Sequence, residues 1–326
     1  MDQLLYLAGR VLLGFIRLFP LVWVARAGRA VGGLVFRLDA RHRRVTIQNL
    51  ARCLGGERTP AEIAALAQEN FRRIGEGFAC AIKTAGLSEE RMRGLLDLTG
   101  LEQAGLATPQ AQAVRRVFAL GHFGNFEVFG HAVQRIPWCV GATTYRALNR
   151  PGLNRLLVAL RGQRRLLFFE RRRDGAALRA ALRDQPLLLG LFCDQHAGDN
   201  GLRLPFFGQD CSTSKAPAVY ALRFHAPLHL AICYRTGLAR WRIEVSPEIP
   251  TYEPDGTPRS LADIMTDVNR GFEAAIRRDP ANWFWVHKRW KPPSPRALAR
   301  AAAAAAAAAN PANPAAQPAE DDDEGA

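Results

Sequence analysis

The chain has 326 residues, 48% of them hydrophobic, with a formal net charge of +14. That length suits one large α/β domain or two modest ones, and that apolar share excludes a disordered chain. Residues 301–326 hold five acids and no Lys or Arg, so the rest of the chain is more basic still; such a surface suits an anionic membrane leaflet, an acidic protein partner or nucleic acid.

The amino terminus is greasy but interrupted. Between Arg10 and Arg26 run fifteen residues, VLLGFIRLFPLVWVA, broken by Arg17 and Pro20. A membrane-crossing helix wants about 20 mostly apolar residues, and no clean signal-peptide core with a small-residue cleavage site is present. On a helix, Gln3, Arg10 and Arg17 form one polar stripe while Leu12, Phe15 and Phe19 lie elsewhere. A second segment, 21–38, sets Arg26, Arg29 and Arg37 beside Val22, Trp23, Leu34 and Phe36. Residues 1–40 are therefore expected to be a membrane-associating helical segment lying in the bilayer interface, with its cations at phosphate headgroups. A core hairpin and a single span are the alternatives.

Thr59, Pro60 and Glu62 form a capping box, and Ile63, Leu66, Phe71, Ile74, Phe78 and Ile82 follow at helical spacing. Ser88 opens a shorter helix. From residue 115, short apolar runs (VFAL, WCVGATTY, LLFF, PLLLGLFCD, PLHLAICY) alternate with helical stretches near 125–135, 151–162, 174–184 and 215–225. This alternation predicts an α/β fold, a mostly parallel sheet flanked by helices, over residues 41–295. RWRIEVSPEI reads as a strand near an edge, and a late helix is capped by Ser260 and stopped by Pro280. Residues 296–326, with nine alanines, NPANP and DDDE, read as a frayed helix passing into a disordered, acidic Ala/Pro-rich tail. Six cysteines without CxxC spacing point to reduced, mostly buried thiols.

The chemistry concentrates in ALGHFGNFEVFGH, residues 119–131. His122 leaves the carboxyl end of a buried strand, where ligands gather in open α/β sheets. Gly124 permits a sharp turn, Asn125 can cap the following helix, and Glu127 sits in its first turns. A carboxylate on one ring nitrogen fixes an imidazole's tautomer and leaves the other nitrogen free as a general base. The expected pair is His122 with Glu127 as its orienting carboxylate. With no Ser or Cys in the motif, the nucleophile would be a substrate hydroxyl. His131 reads as a surface or packed histidine.

GHFGNFE, TTYRALNRPGLNRLL, LFCDQHAGDNGLRLPFFG and NWFWVHKRWK, in that order, resemble the late acyltransferases of lipid A biosynthesis, the lauroyl and myristoyl transferases of the wider His-x-x-x-x-Asp/Glu acyltransferase class. The resemblance runs to about Lys291. It implies that His122 deprotonates a hydroxyl on a 3-hydroxyacyl chain of the acceptor and that Glu127 orients it. It further implies substrate binding by Asn125, Arg146, Asp194 and Gln195, with Arg146 on an anionic group and Phe206, Phe207 and Gly208 shaping the floor of the acyl site. Acyl carrier protein would be the thioester donor, bringing its phosphopantetheine arm as part of the substrate. A phosphorylated lipid A precursor would be the acceptor, and the cytoplasmic face of the inner membrane the place of work. No metal, redox cofactor or nucleic acid is expected. A lysophospholipid or other glycolipid acceptor, with acyl-CoA as an alternative donor, is the nearest alternative. Ser212-x-x-Lys215 raises a serine hydrolase as a rival, and His196 with Asp199 beside Asp194 raises a metal site.

Overall fold

The structure, a computed structural model, describes residues 2–162 and 165–309. Four helices come first: α1 (Asp2–Leu18), α2 (Leu21–Leu38), α3 (Ala40–Leu54) and α4 (Pro60–Thr84), followed by the short α5 (Glu89–Arg93). Strands and helices then alternate: β1 (Leu96–Thr99), β2 (Arg116–Leu120), α6 (Phe129–Gln134), β3 (Gly141–Tyr145), α7 (Pro151–Arg161), β4 (Leu166–Glu170), α8 (Gly175–Asp184) and β5 (Leu188–Phe192). A hairpin of β6 (Leu202–Phe206) and β7 (Gln209–Thr213) leads to α9 (Ala216–Arg223), β8 (Leu228–Gly237), β9 (Arg240–Val245), α10 (Leu261–Arg278) and α11 (Pro295–Ala309).

Seven strands form one sheet in the order β1-β9-β8-β2-β5-β3-β4. Every neighbouring pair is parallel except the β8–β9 hairpin. Every residue of β2 is buried, as expected of a central parallel strand covered on both faces. Val117 and Ala119 belong to one core cluster, with α3, α8, α9 and α10 side chains, whereas Phe118 and Leu120 belong to the other, with α5 and α6. The chain leaves β2 toward β3 and leaves β5 toward β8, in opposite directions from adjacent strands. The carboxyl ends of β2 and β5 therefore flank the kind of crevice where ligands bind in such sheets.

The amino-terminal helices are fastened to this body by close backbone contact. A methyl group added at Gly32 of α2 would lie 2.2 Å from the Phe71 carbonyl of α4, and one at Gly75 only 2.2 Å from the Gly28 carbonyl. Three glycines thus let two backbones touch. Arg29 of α2 then pairs with Glu69 (2.8 Å) and with the buried Glu76 (3.2 Å), which also receives Arg235 of β8 at 2.9 Å. The outward faces keep Val11, Phe15, Leu18, Trp23, Val31 and Leu38 exposed. No described helix is long and apolar enough to cross a membrane.

The expected mostly parallel sheet and flanking helices are present, with one difference of detail. The four-residue β1 is an unforeseen strand, too short and too polar (LDLT) to announce itself. It pairs outside β9, so RWRIEV lies one place in from the edge. Residues 295–309 form the helix α11, where the alanine run was expected to be helical and as alanine's helix propensity favours; residues 310–326, where the disordered tail was expected, lie outside the described residues.

Gly32→Leu should overpack the α2–α4 contact and destabilise the fold by about 1–3 kcal/mol, read as a lowered Tm. Gly14→Leu is the control, since nothing lies within 4 Å of a methyl group there.

Candidate active site

Leu120 of β2 and Phe192 of β5 pair in register. Two residues beyond each stand His122 and Asp194, so two adjacent parallel strands deliver an imidazole and a carboxylate to the same point. Asp194 is fully enclosed. Its Oδ1 accepts the Nδ1–H of His122 at 2.8 Å, and its Oδ2 accepts the His122 backbone N–H and the Trp283 indole N–H, each at 2.8 Å. With Nδ1 assigned as the donor by this contact, Nε2 has no hydrogen-bond partner among the described residues. Gln195 places its side-chain amide 3.3 Å from Nδ1. Phe126, Phe192 and Phe284 surround the ring, with centroids 4.9, 4.6 and 6.1 Å away.

Burial disfavours charge on Asp194, but the adjacent His122 charge and hydrogen bonds, with His287 nearby, outweigh it and hold the carboxyl well below the usual range. His287 moves down, to about 4, because burial penalises its charged form more than Asp194 and the Phe284 carbonyl favour it.

The backing of Asp194 is itself held by side chains far away in sequence. Asn70 of α4 donates to the carbonyls of Ala281 and Trp283, and Asn49 of α3 donates to those of Trp285 (2.9 Å) and His287 (2.8 Å). The Gly124 N–H donates to the Asn282 carbonyl at 2.9 Å. Gly124 has φ +52°, and a side chain there would meet the Cys233 carbonyl at 2.8 Å, so this turn requires glycine. Arg289 is completely buried; it donates to Thr213 Oγ1 (2.8 Å) and the Gln195 carbonyl (3.3 Å) and lies over the Phe206 ring.

His122 sits on the wall of a cavity of about 1480 Å³. Its apolar lining includes Leu120, Phe192, Ile136, Ile243 and Val245, from the α6 side of the sheet. Glu127, Arg146 and Gln195 also line it, and Arg146 is exposed beyond the end of β3. Such a volume exceeds the roughly 300–1,000 Å³ of ordinary ligand pockets.

Three sequence expectations need correction. Glu127 does not touch His122; both its oxygens receive the guanidinium fork of Arg161 from α7, with Nε to Oε2 at 2.9 Å. The backbone turn after Gly124 carries Glu127 to the α7 side of the cavity, and the carboxylate on the imidazole is Asp194. Asn125 occupies the position before the 3₁₀ turn Phe126–Val128, but its side chain makes no capping bond and is buried. Phe206, Phe207 and Gly208 do not line the cavity. Phe207 and Gly208, with φ of +51° and +70°, form the two-residue turn of the β6–β7 hairpin. Phe206 stacks on Trp290 at 5.7 Å and the Phe207 N–H donates to Glu273 at 2.7 Å; their apolar bulk serves the packing against α10.

Sequence reasoning missed Trp283, Asn70 and Asn49 as supports and Arg161 as Glu127's partner. It named Asp194 but for another task. One available signal was the parallel between two apolar strands, each followed after two residues by a titratable group. His131 is packed, its Nε2–H donating to the Thr84 carbonyl at 3.1 Å. Ser212 is buried with its hydroxyl on the Gly198 carbonyl, unlike an exposed nucleophile. Asp199 is engaged by Ser294 at the start of α11, and among the described residues no three His, Cys, Asp or Glu side chains converge as a metal site would require. All six cysteines are free and buried; burial pushes Cys80 and Cys233 up to about 12.

An imidazole backed by a carboxylate, at the carboxyl ends of two adjacent parallel strands and on the wall of a large cavity, is an arrangement suited to general-base catalysis in an α/β fold. The family model for bacterial lipid A biosynthesis acyltransferases matches residues 2–292, and the chain belongs to that family. It is an acyltransferase. A comparison with individual curated proteins gives no match.

The buried imidazole of His287 sets a pH response. Its pKa falls on folding, from the model-peptide value near 6.5 to about 4, so the unfolded chain binds more protons in that window and stability drops as pH falls through it. A shift of this size corresponds to roughly 2–3 kcal/mol between pH about 6.5 and 4. Denaturant titrations of wild type and His287→Gln across that range should show a shallower acid slope in the variant.

Proposed function

We propose that this enzyme transfers a fatty acyl chain from an acyl carrier protein thioester to the hydroxyl of a 3-hydroxyacyl chain on a lipid A precursor, at the cytoplasmic face of the inner membrane. The observation that carries the reading is the Asp194-anchored His122 on the wall of a largely apolar cavity. His122 Nε2, without a partner among the described residues, takes the proton of the acceptor hydroxyl as its oxygen forms a bond to the thioester carbonyl carbon. Asp194 keeps the proton of Nδ1 in place and balances the imidazolium that results. The tetrahedral adduct then expels the thiolate, which collects the proton from Nε2, leaving a new ester and a free thiol. No acyl-enzyme is needed. The acyl chain follows the apolar lining, and Arg146 meets an anionic group of the substrate with a planar fork suited to phosphate. No metal or redox group enters the chemistry.

Supporting the membrane setting, α1 and α2 present exposed Val11, Phe15, Leu18, Trp23 and Leu38 among arginines, while Gly-mediated contacts fasten α2 to the catalytic body. An amphipathic surface of that kind lies in the interface of an anionic bilayer and brings the cavity to its lipid substrate. The basic body suits acyl carrier protein, an acidic donor.

His122→Ala should remain folded and membrane-bound but lose at least about 10²-fold in acyl transfer from acyl carrier protein to a lipid A precursor; turnover near wild type would refute the mechanism. Full-length protein should float with phosphatidylglycerol-containing vesicles and detach as salt rises, and Trp23→Glu/Leu38→Glu should weaken that flotation. Equal flotation on neutral vesicles at all salt concentrations would contradict the electrostatic part of the reading.

A further inference from the structure

α1 is joined to the body differently from α2. Its inward side sets Tyr6, Gly9 and Leu13 in line, and Leu13 is the one buried side chain among those described on this helix. Toward α7 the contact runs through small groups. A methyl group at Gly9 would lie 2.6 Å from the end of Leu156, and one at Gly152 only 2.2 Å from the Asp2 carbonyl. Arg155 of α7 lies over the Tyr6 ring at 5.2 Å. At its other end α1 meets the end of α4, where the Arg17 carbonyl accepts from Lys83 and the Arg17 side chain approaches Gly86. Both helices that it meets are walls of the cavity: Phe78, Ala81 and Ile82 of α4 line it, as do Leu157, Leu160 and Arg161 of α7. α1 therefore bridges the two walls.

A contact made largely through glycines, with one buried leucine, takes little apolar surface out of water. The opposite face of α1 exposes far more: Leu7, Val11, Leu12, Phe15 and Leu18, with Val11 73% and Leu18 79% exposed. Arg10 and Arg17 are exposed beside it. Water disfavours such a face, and the interface of an anionic bilayer favours it. The joint to α2 permits separate movement, because only Phe19 and Pro20 connect the two and Pro20 has no N–H to continue the helix. α2 stays on α4 through Gly28, Gly32 and Gly75. The end of α7 stays on Glu127 through the Arg161 fork, while its start rests on α1.

We infer that α1 is a membrane-operated clasp: the bilayer interface draws it off α7 and α4, frees the start of α7 and opens the cavity to the lipid acceptor, while α2 keeps the enzyme on the membrane. The inference rests on the acyltransfer reading above and adds what the bilayer does to the site. The released helix offers lipid Leu13 and Ile16 as well as its outer face, and that differential affinity drives the change.

The test uses the full chain. All six native cysteines are buried, so Val11→Cys/Val158→Cys takes one spin label on α1 and one on α7. The distance between labels should lengthen by about 10 Å, one helix diameter, when phosphatidylglycerol-containing vesicles are added; an unchanged distance would overturn the inference. Activity gives a second readout, on a short-chain disaccharide acceptor dispersed in water, with and without acceptor-free vesicles. Wild-type transfer should rise at least about tenfold with vesicles, as for an open state that is a minor population in water. Gly9→Cys/Leu156→Cys, oxidised to the disulfide, should still float with vesicles but lose that rise, and reduction should restore it. Leu13→Ala, which loosens the clasp, should raise the rate without vesicles. Wild-type transfer indifferent to vesicles, a full rise in the oxidised pair, or an unaltered vesicle-free rate in Leu13→Ala would each count against the clasp. Absence of transfer to any lipid A precursor, with the label distance still lengthening on vesicles, would sink the acyltransfer reading and leave the clasp standing.

Discussion

The enclosed carboxylate of Asp194 is the charge around which the site is built. Burying an ion is costly unless it is paired and fully hydrogen-bonded, and removing one partner of such a pair costs about 3–5 kcal/mol. Asp194 is supplied with three donors from two distant parts of the chain: the ring and backbone of His122 after β2, and the indole of Trp283 from the segment after α10. Because each donor must arrive at once, the carboxylate specifies how the β2 turn, the β5 end and residues 281–287 sit together. The bridge between Phe123 and Trp283, and the Asn282 contacts to Gly124 and Cys233, reinforce the same junction.

From that junction the constraint extends toward the amino terminus. Asn49 and Asn70 reach from α3 and α4 to hold the backbone that carries Trp283, and α4 is the helix against which α2 packs through glycines. The surface proposed to meet the membrane and the carboxylate behind His122 thus share one rigid support. Arg29 adds an ionic tie through Glu69 and Glu76, and Glu76 extends it to β8 through Arg235. These pairs are partly or wholly shielded from solvent, where geometry rather than number decides their worth. The consequence is a site whose geometry is set before any lipid arrives, which is how positioned groups lower a barrier.

Much of the fold could be read from the residues because the signals were local. The capping box at Thr59 and the alternation of apolar runs with helical stretches act over a few residues, and both correspond to real elements. What the sequence concealed was pairing at long range. His122 and Glu127 are near neighbours in the chain, so the short spacing suggested a pair; the true neighbour of the imidazole is 72 residues away and arrives through strand register. Glu127 found a partner in Arg161 on a helix whose distance could not be judged from spacing. Phe206 and Phe207 illustrate the opposite error: an apolar turn looked like a ligand floor, while the structure spends it on Trp290 and α10. Arg146 and Gln195 do reach the cavity, one exposed and one beside the ring.

Asp194, rather than Glu127, is the carboxylate that holds the His122 Nδ1–H in place. Single-turnover acyl transfer by Asp194→Asn, in protein whose folding is verified by Tm, tests it most directly. The expected result is a loss of at least about 10²-fold in the chemical rate, the scale of general-base assistance, with substrate affinity largely retained. A folded Asp194→Asn enzyme that turns over near the wild-type rate would contradict it.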